Sequence, residues 1–518
     1  MKFYKNIKVI HLILVIFFIS NLFILTNFPF VHSDEAWLSG LSRHIMESKS
    51  LEVTEPFFDL KPRSPHAIKI FFHFIQIIFI KIFSYNIFNM RLISLITGTT
   101  SLYIFYKIVK LLTKSKLLQN LAVVLLAVDI HYIYSSHLAR QEIILLLMLL
   151  LATYYYLDNY KNHNDLEKNI KLALILGIGM GIHPNIFIIS LPFILIYTFY
   201  LLFSNKIKFK NYIAFGSTLA ITASFFVFLS LKLDPSFFSN YSSFGESLGV
   251  FSSIITKIDR FDYFYRKLFY RISGTYYIPQ IKFQFILFTA SFIAALIKLF
   301  TKKDNKNIFL LLAIIGINLG YIIIGRYNQT SIIFIFPLFY LLIINLLTSL
   351  KLKHSSAIII ILIIILTFNS GHTILNDSHY NYNDYLKNIA KVVSPDDKVL
   401  ANLNTGYYFN RGNLRDYRNL QYLKENNLSF ADYIEKNDIK YIIYPEEMDF
   451  IYNTRPVWNI LYGNPYPYYS EMKKYLKEKT ELEHSFTNKT YGMRIVRYIG
   501  DRNWKIKIYK VIKPPQSP

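Results

Sequence analysis

The chain has 518 residues, 53% hydrophobic and 17% aromatic, with a net charge of +24 and no cysteine. The lack of cysteine excludes a disulfide framework, a thiolate nucleophile and a cysteine-ligated metal. The positive charge does not read as a nucleic-acid signal: the lysines fall in short loops between long apolar blocks, the pattern of a multi-pass membrane protein.

The first apolar block, "VIHLILVIFFISNLFILTNF" from Val9, is long enough to cross a bilayer and has no small-residue cleavage site after it. It reads as a retained anchor helix. Ten more spans follow, giving eleven predicted near 8–28, 88–108, 117–134, 141–158, 170–184, 186–203, 211–232, 283–300, 307–325, 331–348 and 355–374. One set of loops carries the lysines, among them Lys107, Lys110, Lys114 and Lys116, and Lys298, Lys302, Lys303 and Lys306. The short loops of the other set carry Arg140 and Arg326. This asymmetry predicts a cytoplasmic N-terminus, and the Lys/Asn/Ile-rich composition without cysteine fits a bacterial or archaeal plasma membrane.

The run 66–83 is apolar but carries Lys69, His73, Gln76 and Lys81. Spanning would bury these groups in hydrocarbon, at a few kcal/mol for a lysine. Counting it as a span would also place every later lysine loop outside. It is therefore expected to be a juxtamembrane helix.

Three larger pieces then lie outside: the loops 30–87 and 233–282, and the segment 376–518. In the last, Tyr, Asn, Asp and Lys replace the Ile/Leu blocks. "DKVLANL" and "IKYIIYP" read as strands and "SFADYIEKN" as a helix. "MRIVRYIG" and "WKIKIYKVI" read as a terminal hairpin turning at Asp501-Arg502-Asn503, and "KPPQSP" as a loose tail. The expected fold is an α-helical multi-pass membrane domain over 1–375 with a C-terminal extracytoplasmic α/β domain over 376–518.

The unusual polar residues at span ends gather on the outside face. Asp34 and Glu35 follow the first span. "FFDLKPRSPH" brings Asp59, Lys61, Arg63 and His66. "SSHLARQE" brings His137, Arg140 and Glu142; "GIHPN" brings His183 and Asn185; "GRYNQ" brings Arg326 and Tyr327. Each has a plain structural reading. Ser33-Asp34-Glu35 is also a helix cap with acids in the first turn. Lone arginines and lysines at a bilayer edge also serve as headgroup anchors. His183-Pro184 also breaks a helix. The glycines at 177, 179 and 181 fit close helix packing better than a phosphate loop. Trp37 fits an interfacial anchor, and Arg43 and His44 remain unassigned.

Together these residues form a more specific pattern. Cations at the lipid boundary suit a lipid-linked phosphate, and a carboxylate there suits a general base toward an attacking hydroxyl or amine. The combination points to transfer of a group from a phospholipid-like donor to an external acceptor.

The acid pair after the first span, the Lys-Pro segment of 61–62, the "AR-x-E"-like start of a span and the closing external α/β domain resemble the GT-C membrane glycosyltransferases. The nearest branch holds the protein O-mannosyltransferases and the lipid A aminoarabinose transferases. The resemblance covers the membrane part in layout, and its motifs lie at about 31–66 and 134–145. It implies a polyprenyl-phosphate-linked sugar donor, an outward-facing site and inversion at the anomeric carbon, in a hexosyl or pentosyl transfer. Asp34 matches the family's first acid, which implies the base or acceptor-binding role; Glu35 matches the second, more structural acid. Lys61 matches the Lys-Pro lysine that contacts the donor phosphate. Arg140 matches the arginine assigned to phosphate or site architecture. The usual Lys-Pro-Pro reads here Lys61-Pro62-Arg63, and Leu60 stands where some relatives carry an acid, with Asp59 one place earlier.

The expected enzyme therefore moves a sugar to a protein, lipid or glycan acceptor, with Asp34 as base and Lys61, Arg63, Arg140 and Arg326 on the donor phosphate. Asp59, His66, His137, Glu142, His183 and Tyr327 are further candidates. No metal-ligand spacing stands out and no cofactor is expected, although divalent metal use varies among the relatives. Membrane lipid is an expected partner and nucleic acid is not. A transporter or lipid flippase is the main alternative; it would show charges deep in the spans and inverted repeats. A non-catalytic scaffold, with the acid pair only a cap, is the other.

Overall fold

The computed structural model describes residues 8–159, 164–203, 207–247, 249–272, 276–301, 304–350, 354–377, 382–456, 464–488, 490–491 and 503–512. Its membrane part runs α1 Val9–Ile24, α2 Ser33–Ser48, α3 Ile70–Phe83, α4 Ile87–Leu112, α5 Lys116–Ala127, α6 Ile130–His137, α7 Glu142–Asp158 and α8 Leu166–Ile178. It continues with α9 Ile186–Phe203, α10 Phe209–Leu233, α11 Phe237–Ser247, α12 Ile254–Phe269, α13 Lys282–Thr301, α14 Asn305–Ile324, α15 Phe336–Ser349 and α16 Ser355–Asp377.

Among the described residues, seven helical stretches are long and apolar enough to cross a membrane, or eight if the bent pair α5 and α6 counts as one. The other three of the eleven expected spans fall on α1, α7 and α8, which have 16, 17 and 13 residues. The run 66–83 folds as α3, of 14 residues, with its His73 and Gln76 stripe buried against protein.

The expected single span 117–134 is broken. α5 and α6 meet at an angle of 63°. Asp129 causes the break: its Oδ1 accepts the amides of His131 and Tyr132 at 2.8 and 3.0 Å, capping α6. Its Oδ2 accepts from Gln284 at 3.0 Å and Tyr340 at 2.7 Å. Buried peptide groups need such partners wherever a helix stops inside a bundle. The bend carries residues 138–141 to the mouth of the bundle, where Arg140 is used.

Close packing holds the bundle. A Cβ on Gly177 would come within 2.6 Å of Thr222 in α10, and one on Gly316 within 2.7 Å of the Pro192 backbone in α9. Small residues at these crossings let the helices approach, as expected for the glycine run.

The C-terminal part contains α17 Tyr382–Ala390, β1 Val399–Ala401, β2 Leu414–Asp416, α18 Phe430–Lys436, β3 Tyr441–Pro445, α19 Glu447–Thr454, α20 Tyr469–Glu478, β4 Thr480–Asn488 and β5 Trp504–Val511. The sheet order is β2-β1-β3-β5-β4, with β1 parallel to β2 and β3 and β5 antiparallel to β3 and β4. This is the expected α/β domain, with β1, α18, β3 and β5 where the sequence put them. β5 lies between β3 and β4 and pairs with both. "MRIVRYIG" and "KPPQSP" lie outside the described residues. β4 holds just two large apolar side chains, Leu482 and Phe486, so it reads poorly as a strand.

This domain clamps the loop between α2 and α3. Asn419 Oδ1 accepts the Asp59 amide at 3.1 Å, and its Nδ2 donates to Phe57 O at 2.8 Å. The Asp416 amide donates to Phe57 O at 3.2 Å, and Arg415 donates to Pro56 O at 3.0 Å. The loop 56–60 is thereby fixed between the membrane part and the sheet.

Candidate active site

The two acids of α2 have separate environments. His32 caps the helix: its Nδ1 accepts the Asp34 amide at 3.0 Å while Glu35 Oε1 accepts the His32 amide at 2.8 Å. Such a reciprocal box satisfies two otherwise orphan amides. Glu35 then turns inward. Arg91 grips it with Nε to Oε2 at 2.9 Å and Nη2 to Oε1 at 2.8 Å, both side chains fully buried. Arg91 also donates to Leu25 O and Pro29 O, and Glu35 Oε2 accepts the Ala139 amide at 2.9 Å. Glu35 thus ties α2, α4 and the 138–141 turn together. Sequence reading did not use Arg91, although an arginine in the first turns of an otherwise apolar span was a visible signal.

Asp34 faces the other way and is 20% exposed. Arg140 Nη1 lies 2.5 Å from its Oδ2, and the Tyr276 hydroxyl donates to the same oxygen. Arg140 also contacts Tyr276, and its remaining nitrogens engage Glu142 at 3.0 and 3.2 Å. Glu142 in turn accepts from Thr330 at 2.6 Å. Burial works against charge on Arg140, but Glu142, Tyr276 and Asp34 outweigh it and hold the guanidinium firmly protonated. Burial also keeps the Tyr276 hydroxyl neutral and able to donate. The His32 ring stacks on Tyr276 at 4.0 Å. Tyr276 comes from the loop before α13 and has no local sequence signal.

Beside this cluster lies a cavity of about 550 Å³ between helix ends of the membrane part and the C-terminal domain. Trp37, one turn along α2 from Asp34 and so on the same face, forms part of its wall. Lys61, Arg63, Lys69, Arg326 and Arg418 line it, against Asp234, the single acid on its wall among the described residues. Arg63 is held between the rings of Trp37 and Phe244, 4.3 Å from each centroid. Arg418, from the C-terminal domain, covers Trp37 at 4.6 Å and Phe58 at 4.5 Å. The alternating rings and guanidiniums fix direction by cation–π contact. Asp34 itself lies beside the cavity, near enough for Arg63 to feel its charge.

The expected residues therefore divide. Arg63, His66, His183 and Arg326 line the cavity, and Arg326 makes no hydrogen bond or ion pair among the described residues. His66 and His183 are kept neutral there, chiefly by burial, His66 with its pKa drawn down to about 3. Lys61 stands at the rim, 60% exposed, 3.6 Å from Glu425 and over the Tyr422 ring. Arg140 and Glu142 serve Asp34. Asp59 is taken by Tyr433 at 2.8 Å and Arg415 at 3.8 Å, which makes it part of the clamp. His137 bonds Phe28 O at 2.6 Å and Asn21 at 2.9 Å, fixing the end of α1. The Tyr327 hydroxyl donates to Lys257 O at 2.6 Å. Among the described residues no group of three or more His, Asp and Glu side chains is placed to hold a metal ion.

A family model described as dolichyl-phosphate-mannose-protein mannosyltransferase matches residues 65–230. The structure is similar to that of ArnT from Cupriavidus metallidurans bound to undecaprenyl phosphate, with a TM-score of 0.62 at 10% identity, over 98% of this chain and 99% of that one. It is also similar to the oligosaccharyltransferase AglB from Archaeoglobus fulgidus in complex with an inhibitory peptide and a dolichol-phosphate, with a TM-score of 0.52 at 12% identity, over 86% and 71% of the two chains. The same archaeal enzyme tethered to an acceptor peptide gives 0.53 at 12% identity. No curated protein sequence matches. The fold is thus the GT-C fold, C-terminal domain included.

Proposed function

We propose that this protein transfers a sugar from a polyprenyl-phosphate-linked donor to an acceptor on the outer face of the membrane. The carrying observation is the pairing of a strongly cationic cavity at the outer helix ends with one oriented carboxylate, Asp34, beside it. The lipid phosphates named with ArnT and AglB support a donor of this class.

In this reading the donor phosphate enters the cavity and meets Arg63 and Arg326, with Lys61 at the rim. Arg63 is pre-oriented by its two rings, so little freedom is lost on binding. The acceptor hydroxyl or amine gives its proton to Asp34 as it attacks the anomeric carbon from the side opposite the phosphate. The carbon–oxygen bond to phosphate breaks, its electron pair stays on the phosphate, and the configuration inverts. Arg140 and Tyr276 keep the base in position. A positioned base contributes ~10²–10⁴-fold, and cations at the developing charge supply a further large factor. The N-terminus lies in the cytoplasm and the C-terminal domain outside. The acceptor is a protein, a lipid or a surface glycan.

Mass spectrometry of surface glycans from cells with and without the protein tests this reading. Loss of one defined sugar, restored by the wild-type chain and not by Asp34→Asn, is the expected result. An unchanged glycan profile would sink it.

A further inference from the structure

Lys69 stands apart from the other cations of the cavity. It sits where the first loop turns into α3, with φ 85° and ψ 5°. Non-glycine residues hold such a conformation at a cost, and it persists where the surroundings impose it. Ile68 and Ile70 on either side are buried in the apolar core, while Lys69 lines the cavity. Its carbonyl accepts the His73 amide at 3.1 Å, but its ammonium has no hydrogen bond and no ion pair among the described residues.

Its neighbours are guanidiniums and neutral histidines. Arg63 and His66 face it from the same loop, Arg326 from the turn after α14, His183 from the turn before α9, and Arg140 from beyond. His73 lies one turn into α3. The acids in reach are Glu55, which stands 3.7 Å from Arg63, and Asp234 on the cavity wall. A half-buried ammonium among guanidiniums, with no carboxylate of its own, is costly.

We propose that Lys69 is a proton-linked ligand of the donor phosphate: largely uncharged above neutral pH when the cavity is empty, it takes up a proton as a phosphodiester anion enters. The inference rests on the donor reading above. Burial first, then Arg63, Arg326 and Arg140, draw the Lys69 pKa down to about 7. A bound anion cancels those cations and pushes it back up. A sugar phosphodiester carries one charge and does not titrate near neutrality, so any proton taken up belongs to the protein. Arginines stay charged throughout, and His66 and His183 remain neutral.

The sign follows. The anion prefers the protonated lysine, so affinity is full below about pH 7 and falls above it, by about tenfold per pH unit until the bound-state pKa is reached. During transfer the proton stays on Lys69. The electron pair of the broken anomeric bond goes to the phosphate oxygen, and the ammonium faces that new charge. The acceptor's proton goes to Asp34. Lys69 releases its proton when the polyprenyl phosphate leaves.

Calorimetric titration of the full-length protein in detergent with undecaprenyl methyl phosphate, a diester probe, tests this in two buffers of different ionisation heat at about pH 8. The wild type should take up close to one proton per probe, and bind about tenfold more weakly one pH unit higher. Lys69→Arg should bind without proton uptake and with flat pH dependence. Binding by the wild type with no proton uptake, or the same uptake by Lys69→Arg, would overturn the Lys69 inference and leave the donor reading standing. No binding of the probe by the wild type at any pH would overturn both.

Discussion

Arg140 meets Asp34 at 2.5 Å across 106 residues of chain, while the next acid, Glu35, is gripped by Arg91 on the opposite side of the helix. Two adjacent carboxylates thus receive two different arginines. One pair is fully buried and closed; the other is part-exposed beside a cavity. The difference separates a scaffold acid from a reacting one, and it sets the first two predictions.

Glu35→Gln should act on folding. It leaves Arg91 buried without its counter-charge, a loss of about 3–5 kcal/mol when one partner of a buried pair is removed. Thermal unfolding in detergent should show a large drop, partly recovered by adding Arg91→Met. A variant with wild-type melting and lost turnover would make Glu35 a reacting group instead.

Tyr276→Phe should keep the fold and slow the reaction. It removes one hydrogen bond to the Asp34 carboxylate, worth about 1.5–3 kcal/mol, so kcat should fall by roughly 10- to 100-fold. The donor KM should hold steady, because Tyr276 touches the base and not the cavity cations. A raised donor KM with unchanged kcat would contradict this.

Arg63→Ala and Lys61→Ala should differ. A charge-assisted bond from Arg63 to the donor phosphate is worth about 1.5–3 kcal/mol, so the donor KM should rise by roughly 10- to 100-fold. Lys61 is 60% exposed and shared with Glu425, and its loss should cost less than about threefold. A larger effect at Lys61 than at Arg63 would reverse the assignment.

Much of this was legible in the chain, for physical reasons. Apolar blocks report the membrane directly, so the long apolar helices and the C-terminal α/β domain stood out. The acid pair stood out because it follows a span. What stayed hidden depends on distance in sequence. Arg418 reaches the cavity from the C-terminal domain, and Tyr276 reaches Asp34 from another loop; neither carries a local pattern. Lys69 was visible as a polar group on α3, but its direction depends on a left-handed backbone that no motif announces. Asp59 and His137 looked functional because they are polar at a boundary, and the structure spends them on the clamp and the α1 tether.

Asn419→Ala should loosen the clamp. It removes the bonds to Phe57 and Asp59 that hold the loop carrying Arg63. Proteolytic cutting within 56–64 should quicken and the donor KM should rise, while kcat at saturation stays near wild type. Unchanged cutting and kinetics would mean the domain does not shape the cavity.

The most direct measurement is transfer of labelled sugar from a polyprenyl-phosphate-linked donor in membranes bearing the wild-type chain or Asp34→Asn. The account predicts label in an external acceptor with the wild type, and a loss of at least about 10²-fold in a variant that is inserted and folded. A folded Asp34→Asn protein that transfers the label at the wild-type rate would contradict it.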